Sequence, residues 1–287
     1  MRRRIATGIV RLLATILIAG FLGATLVRVA PGFGYDPTTF DPRLSDESRA
    51  AFRAQQDGNK NIITFYGRYL SSLARGDWGI SVSLNQPVRD LVRDRLPVSL
   101  KRMGWAILLG WLLAIVVAGT VQMTGWAAVR IVSFVGNSTL LSAPAAVLAL
   151  LCLLFQWPPL LAISAIVFAY LFTYTSAIFR DHCGRPHVLS ARARGAGSIR
   201  IFGVHVFSSA APELLALLGL SVATAFAAIL PIEVLTDTPG IGQLAWQAAL
   251  GRDLPLIVTL TLVVTTFTVA ATVFADIVRG TLEERRP

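Results

Sequence analysis

The sequence predicts an all-α, polytopic membrane protein with six transmembrane helices, and three observations carry that prediction. Hydrophobic residues make up 54% of the 287-residue chain and charged residues only 15%, against roughly 25% charged in ordinary soluble domains. The apolar residues gather into runs close to the ~20 residues that a helix needs to cross a bilayer. The arginines stand beside those runs. A formal net charge of +10 on a soluble protein would point to nucleic acid. Next to apolar spans it reflects membrane topology instead, so no nucleic-acid partner is expected. Cys152 lies in an apolar run and Cys183 in a basic loop, so no disulfide framework follows.

Residues 1–30 form the first unit. Met1 to Arg4 is a basic start, followed by an apolar stretch from Ile5 to Val29 that Arg11 and Arg28 interrupt. Basic-then-apolar is also the pattern of a secretory signal. This stretch is too long for one, and no small-x-small cleavage site follows it, so a retained first helix is expected. Residues 31–98 form the one long polar segment, expected outside the cytoplasm. From Pro31 to Pro97 it carries nine basic and eight acidic residues, and loops longer than about 60 residues escape the charge rule in any case. Within it, Ser45 to Gln56 reads as a short exposed helix capped by Ser45, and Asp57 to Asn61 as a turn. Ile62 to Leu73 reads as an amphipathic helix with Phe65, Tyr66, Tyr69, Leu70 and Leu73 near one face. It is expected to rest on the membrane surface or on the outer mouth of the helix bundle.

Residues 99–287 carry five further spans, at about Gly104–Val121, Ile131–Phe155, Leu160–Phe179, Leu214–Leu235 and Leu256–Ala275. Gln122 to Ala128 is a short connection, and Gln156-Trp157-Pro158-Pro159 a tight turn with an interfacial Trp. Between the fourth and fifth spans lies a polar loop, 181–212, with Arg185, Arg192, Arg194 and Arg200 against Asp181. That excess assigns it to the cytoplasm. An even number of spans then returns both termini to the cytoplasmic side, with Arg130, Arg180 and Arg279 at cytoplasmic helix ends. Within the loop, Ser190 to Gly195 is small and helix-forming, and Gly195 and Gly197 stop it. Small residues allow close approach, so this composition suits a short helix docked into a groove of another chain.

Several stretches in order resemble the membrane-spanning permease subunits of ABC importers for dipeptides, oligopeptides and nickel. Tyr66-Gly67-Arg68-Tyr69-Leu70, Arg75-Gly76-Asp77-Trp78-Gly79, Pro87-Val88 and Arg95-Leu96-Pro97-Val98-Ser99-Leu100 look like the outer segment of that family. Ala191, Arg192, Ala193, Arg194, Gly195 and His205 sit where the family has its cytoplasmic coupling motif. Glu233, Pro239-Gly240-Ile241-Gly242, Arg252-Asp253 and Pro255 follow the family spacing. Phe207 to Pro212 departs from it, lacking the Arg-Asn pair that usually precedes the proline. The resemblance implies a type I ABC importer permease-like core in the inner membrane, forming half of a translocation pathway for short peptides. Nickel or another small solute is the alternative substrate. The implied partners are a second permease subunit, two cytoplasmic ATPase subunits, an extracytoplasmic solute-binding protein and the lipid itself. The implied ATPase-coupling residues are Ala191, Arg192, Ala193, Arg194, Gly195 and Gly197.

The chain has no Gly-x-x-x-x-Gly-Lys-Ser/Thr phosphate loop, and its only lysines are Lys60 and Lys101. No catalytic residue and no bound cofactor is therefore expected, and ATP would be hydrolysed by partner subunits. Asp181-His182-Cys183 with His187 matches no standard zinc spacing, so no metal site is expected. Glu233 is an acid near the outer end of the fifth span, a costly placement. It is expected to be tied to a loop amide or to Arg252 and to shape an outer gate with Pro239, Gly240 and Gly242. Asn137, with Ser138, Thr139 and Pro144, either lines a pathway or satisfies a kinked backbone and interhelical contacts. An ion-coupled secondary transporter would place acids near mid-membrane, whereas Glu213, Glu233 and Asp276 lie near helix ends. An intramembrane enzyme would need facing reactive groups, and Cys152 stands alone in its span.

Overall fold

The computed structural model describes residues 10, 13–23, 25 and 62–284. Most of the first span, the Ser45 to Gln56 helix and the Asp57 to Asn61 turn lie outside them. The described chain is helical: α1 (Leu13–Gly23), α2 (Ile62–Ala74), α3 (Val88–Thr124), α4 (Ala127–Ser142), α5 (Ala145–Leu154), α6 (Leu160–Cys183) and α7 (Pro186–Ala193). There follow α8 (Ser198–Leu235), α9 (Ile241–Leu250) and α10 (Leu254–Glu284). Among the described residues the only extended pairing is an isolated bridge between Ile80 and Pro87.

Four helices (α3, α6, α8 and α10) are each long and apolar enough to cross a membrane, and α4 with α5 makes five if that pair is one span. The third span, expected as one run from Ile131 to Phe155, is two helices meeting at 97°. The cause is Pro144, which has no N–H to continue the ladder. It also pushes the preceding residue out of the helical region, and Ala143 is extended at φ −75°, ψ 121°. At the other end of α5, Gln156 turns the chain with φ +54°, as the tight turn before Pro158-Pro159 requires. The helix α3 begins at Val88, well ahead of Gly104, and carries Pro97 inside it. Most of the 181–212 loop is helical too, since α6 reaches Cys183 and α8 starts at Ser198.

The bundle closes on one apolar cluster. It gathers Met103, Ala106, Ala114 and Ala118 of α3, Ile163, Val167, Phe172 and Phe179 of α6, Ala225, Ile229 and Ile232 of α8, and Leu256 and Leu260 of α10. The alanines among them let helices approach closely, which drives association where the surroundings are already apolar. Leu108, Leu112 and Val116 of α3 and Phe274 of α10 stay exposed on the outer surface of the bundle, as lipid-facing side chains do. The amphipathic helix α2 forms as expected and packs Tyr66 and Tyr69 against Val258 and Leu262 of α10. Tyr66 Oη donates to the Leu17 carbonyl of α1 at 2.9 Å, and Tyr69 hydrogen bonds Thr259 and the Pro255 carbonyl.

Burial raises the Tyr69 phenol above its ordinary pKa of 10.0. A group whose folded pKa is raised contributes stability below its unfolded value, and that stability is lost as pH rises through the folded one. The seat of α2 on α10 should therefore loosen above about pH 10. Hydrogen exchange of the α2 amides as a function of pH checks this. Tyr69→Phe should raise exchange in α2 at neutral pH and reduce the alkaline step to the part due to Tyr66, whose phenol burial also raises.

Candidate functional site

Two polar assemblies stand at opposite ends of the bundle, joined by α8. The first is built around the short helix α7. Pro186 opens it at its first turn, where a missing N–H costs nothing. Val188 and Ala191 turn inward and are buried, whereas Arg192, Ala193 and Arg194 are exposed. Gly195 ends the turn with φ +80°, a conformation that an L side chain adopts only under strain. Gly197 is extended (φ −65°, ψ 149°) and leads into α8. Leu189 and Ile199 are half and almost fully exposed on this surface. After the α-helical Ser198–Arg200, α8 continues with seven residues, Ile201–Phe207, wound as a π-helix. Phe202 from this segment packs edge-on against Phe179 of α6, centroids 4.9 Å apart.

His182, which the sequence sets beside Cys183 and near His187, hydrogen bonds to residues of α8. It is fully buried, with Nδ1 2.6 Å from Ser209 Oγ and Nε2 3.1 Å from Glu213 Oε1. Arg185 bridges Asp181 at 3.0 Å and Glu213 at 3.4 Å. His187 is exposed.

At the other end, Glu233 has no exposed surface. Its Oε1 accepts hydrogen bonds from Ser99 Oγ and Arg102 Nη1, each at 2.8 Å. Its Oε2 accepts one from the Gly242 amide, also at 2.8 Å. The tie is to a backbone amide, but to Gly242 in the first turn of α9 rather than to the loop before it, and the arginine is Arg102 of α3, not Arg252. An arginine on a long packed helix can be held rigidly, and Arg102 is mostly buried (18% exposed). Ser99 closes the knot by accepting from the Ile241 amide at 2.8 Å, so the first turn of α9 is satisfied by α3 and α8. Gly240 is required by contact: a Cβ there would lie 2.2 Å from the Glu233 oxygens. Pro239 is exposed beside it.

A second buried acid, Asp253, supports the same end. Its Oδ2 accepts from Ser81 Oγ (2.5 Å), Ser83 Oγ (2.9 Å) and the Ser83 amide (3.0 Å). Its Oδ1 caps α10 through the Leu256 amide at 3.1 Å. Arg95 donates to Gln243, which donates to Asp237. Sequence reasoning missed Ser99, Arg102 and Asp253 as site residues. Asp253 had a readable signal, an acid just before a helix that opens Leu-Pro. Ser99 and Arg102 had none, because their partner lies far along the chain. Asn137 is not part of the Glu233 knot; it is buried on α4 and donates to Thr173 Oγ1 of α6 at 2.9 Å. A cavity of about 410 Å³ lies where the α4–α5 bend meets α6 and α8, lined by Leu140, Ala143, Tyr170, Ala223 and Ala227 among others, and Asn137 is not part of its lining.

The profile of the family described as binding-protein-dependent transport system inner membrane component matches residues 106–286. The oligopeptide transport system permease protein OppB of Escherichia coli K12 is 30% identical over 271 residues, covering 87% of this chain and 88% of the relative. OppB of Haemophilus influenzae is 26% identical over 301 residues, covering 95% of each. The glutathione transport system permease protein GsiC of Salmonella paratyphi A is 24% identical, covering 86% of each.

Removing one partner of a buried charge pair typically costs about 3–5 kcal/mol. Arg102→Ala and Gly240→Ala should therefore both lower the melting temperature in mild detergent. The melt can be followed with a thiol-reactive dye that reports exposure of the buried Cys152 in a Cys183→Ser background, since Cys183 is partly exposed in the folded protein. A Gly240→Ala protein that melts with the unmodified one would mean the carboxylate is not held where the knot requires.

Proposed function

Because the chain belongs to the family of binding-protein-dependent transport system inner membrane components, we propose that it forms half of the translocation pathway of an ATP-driven importer of short peptides. The observation that carries this reading is α8. One continuous helix of 38 residues runs from the exposed α7 surface to the buried Glu233 knot, about 57 Å at ~1.5 Å per residue. A displacement at one end is therefore delivered to the other.

In this reading Arg192, Arg194, Leu189 and Ile199 form the face that meets an ATPase subunit, with Ala191 anchoring α7 from within. Nucleotide-driven closure of two such subunits moves α7, and Gly195 and Gly197 let that movement enter α8. At the far end, the rigid Glu233–Arg102–Ser99 knot moves α9 and the loop through Pro239 with α8, so that the mouth opens or closes as a unit. ATP binds to the partner subunits, whose binding and hydrolysis supply the differential free energy that shifts the two states. A second permease subunit completes the pathway, and an extracytoplasmic solute-binding protein delivers substrate. Both termini and the 181–212 segment face the cytoplasm. A peptide is favoured over nickel because the relatives named above transport oligopeptides and glutathione by their names.

The test is a tagged pull-down in mild detergent with co-purifying chains identified by mass spectrometry, followed by ATP-dependent uptake of labelled tri- and tetrapeptides in vesicles. Recovery of a phosphate-loop ATPase and a second polytopic permease is expected. A stable homo-oligomer purified alone would overturn the reading. Gly195→Leu should insert and assemble normally but lose most ATP-driven uptake, since φ +80° strains any side chain with a Cβ. Normal uptake by that variant would remove Gly195 from the coupling path.

A further inference from the structure

The π-helical segment of α8 is bracketed by two contacts. On one side lies α7 with its exposed face, and Phe202 is held between Phe179 and Gly119. On the other, one turn past Phe207, Ser209 and Glu213 of α8 both meet His182 of α6. Glu213 in turn receives Arg185, which also holds Asp181. These are the charged and titratable groups that hydrogen bond around the ring: Asp181 beside it on α6, Arg185 from the α6–α7 turn, and Glu213 from α8.

Hydrogen-bond directions tie this cluster to the π segment. Ser209 Oγ lies 2.9 Å from the Val206 carbonyl and 2.6 Å from His182 Nδ1, and its one proton is given to one of them. Glu213, a carboxylate, accepts from Nε2–H. When Ser209 turns its hydroxyl toward the ring instead, it releases Val206, which lies inside the π segment. A π-helix is wider and less favourable than an α-helix and often marks a functional site. Pro212 weakens the same stretch, because it offers no N–H to the Ser208 carbonyl one turn back.

We propose that His182 is a positioning residue for coupling: with Ser209 and Glu213 it joins the α-helical body of α8 to α6, so that movement of α7 entering through the π-wound Ile201–Phe207 turns α6 and α8 together. This rests on the importer reading above and assigns to one buried side chain the latch through which α6 moves with α8. Without the latch, movement of α7 dissipates in the first turns of α8 and ATP is consumed without transport.

The test uses the complete transporter in vesicles and reads ATP hydrolysed per labelled tripeptide imported, a ratio that a loss of protein amount does not move. His182→Ala should raise the ratio by about tenfold, the change expected for a lost charge-assisted hydrogen bond. Ser209→Ala, a substitution that a helix accepts readily, removes only the Nδ1 arm. His182→Gln retains a donor toward Glu213 and should recover part of the coupling. An unchanged ratio in His182→Ala, or in Ser209→Ala should the first variant fail to assemble, would overturn the latch while leaving the importer reading intact. Absence of ATP-dependent uptake by the unmodified complex would overturn both.

Discussion

A carboxylate with no exposed surface has to be satisfied by protein donors, and the seating of Glu233 organises one end of this bundle. Its charge is met by an arginine, a hydroxyl and a backbone amide drawn from α3 and α9. Each donor has its own geometric condition. Arg102 and Ser99 must share a face of α3, three residues apart, and Gly240 must have no side chain where the carboxylate sits. An unpaired charge there would be far more costly than any single packing defect. The knot therefore acts as a register pin, fixing how far along each other α3, α8 and α9 can slide.

The opposite end is built differently. Its contacts are one buried, hydrogen-bonded histidine, an exposed ion pair between Arg185 and Asp181 that contributes little by itself, and a π-wound segment. The contrast suits a lever whose far end is rigid and whose near end yields. Low-stability elements are the ones that move in conformational change, and the tightly packed centre of α3, α6 and α8 transmits displacement because close-packed interiors are not easily deformed. The α4–α5 pair lies beside this lever without continuing it. At its bend by Pro144 a cavity lies against α6 and α8.

Much of this was legible in the chain. Apolar runs of near-bilayer length identified an all-helical membrane protein, because hydrocarbon thickness sets the length of such runs. Gly195 was readable as a helix stop, and Ile62 to Leu73 as an amphipathic helix. Glu233 was readable as a site residue because an acid at the end of an apolar run has a cost that composition alone reveals.

What only the tertiary structure decided were the pairings and the break. The sequence offered a loop amide or Arg252 as the partner of Glu233; packing supplied Arg102 from a helix that approaches α8 only in the folded bundle. His182 sat beside Cys183 in the chain, but helix rotation turned it inward to Ser209 and Glu213. Pro144 marked a disturbance in the third span, whereas its size, 97°, depends on how α4 and α5 each pack. Local chemistry is written into the sequence because it acts over a few residues. Which distant groups meet is set by helix packing, where small differences in rotation and offset select one donor over another.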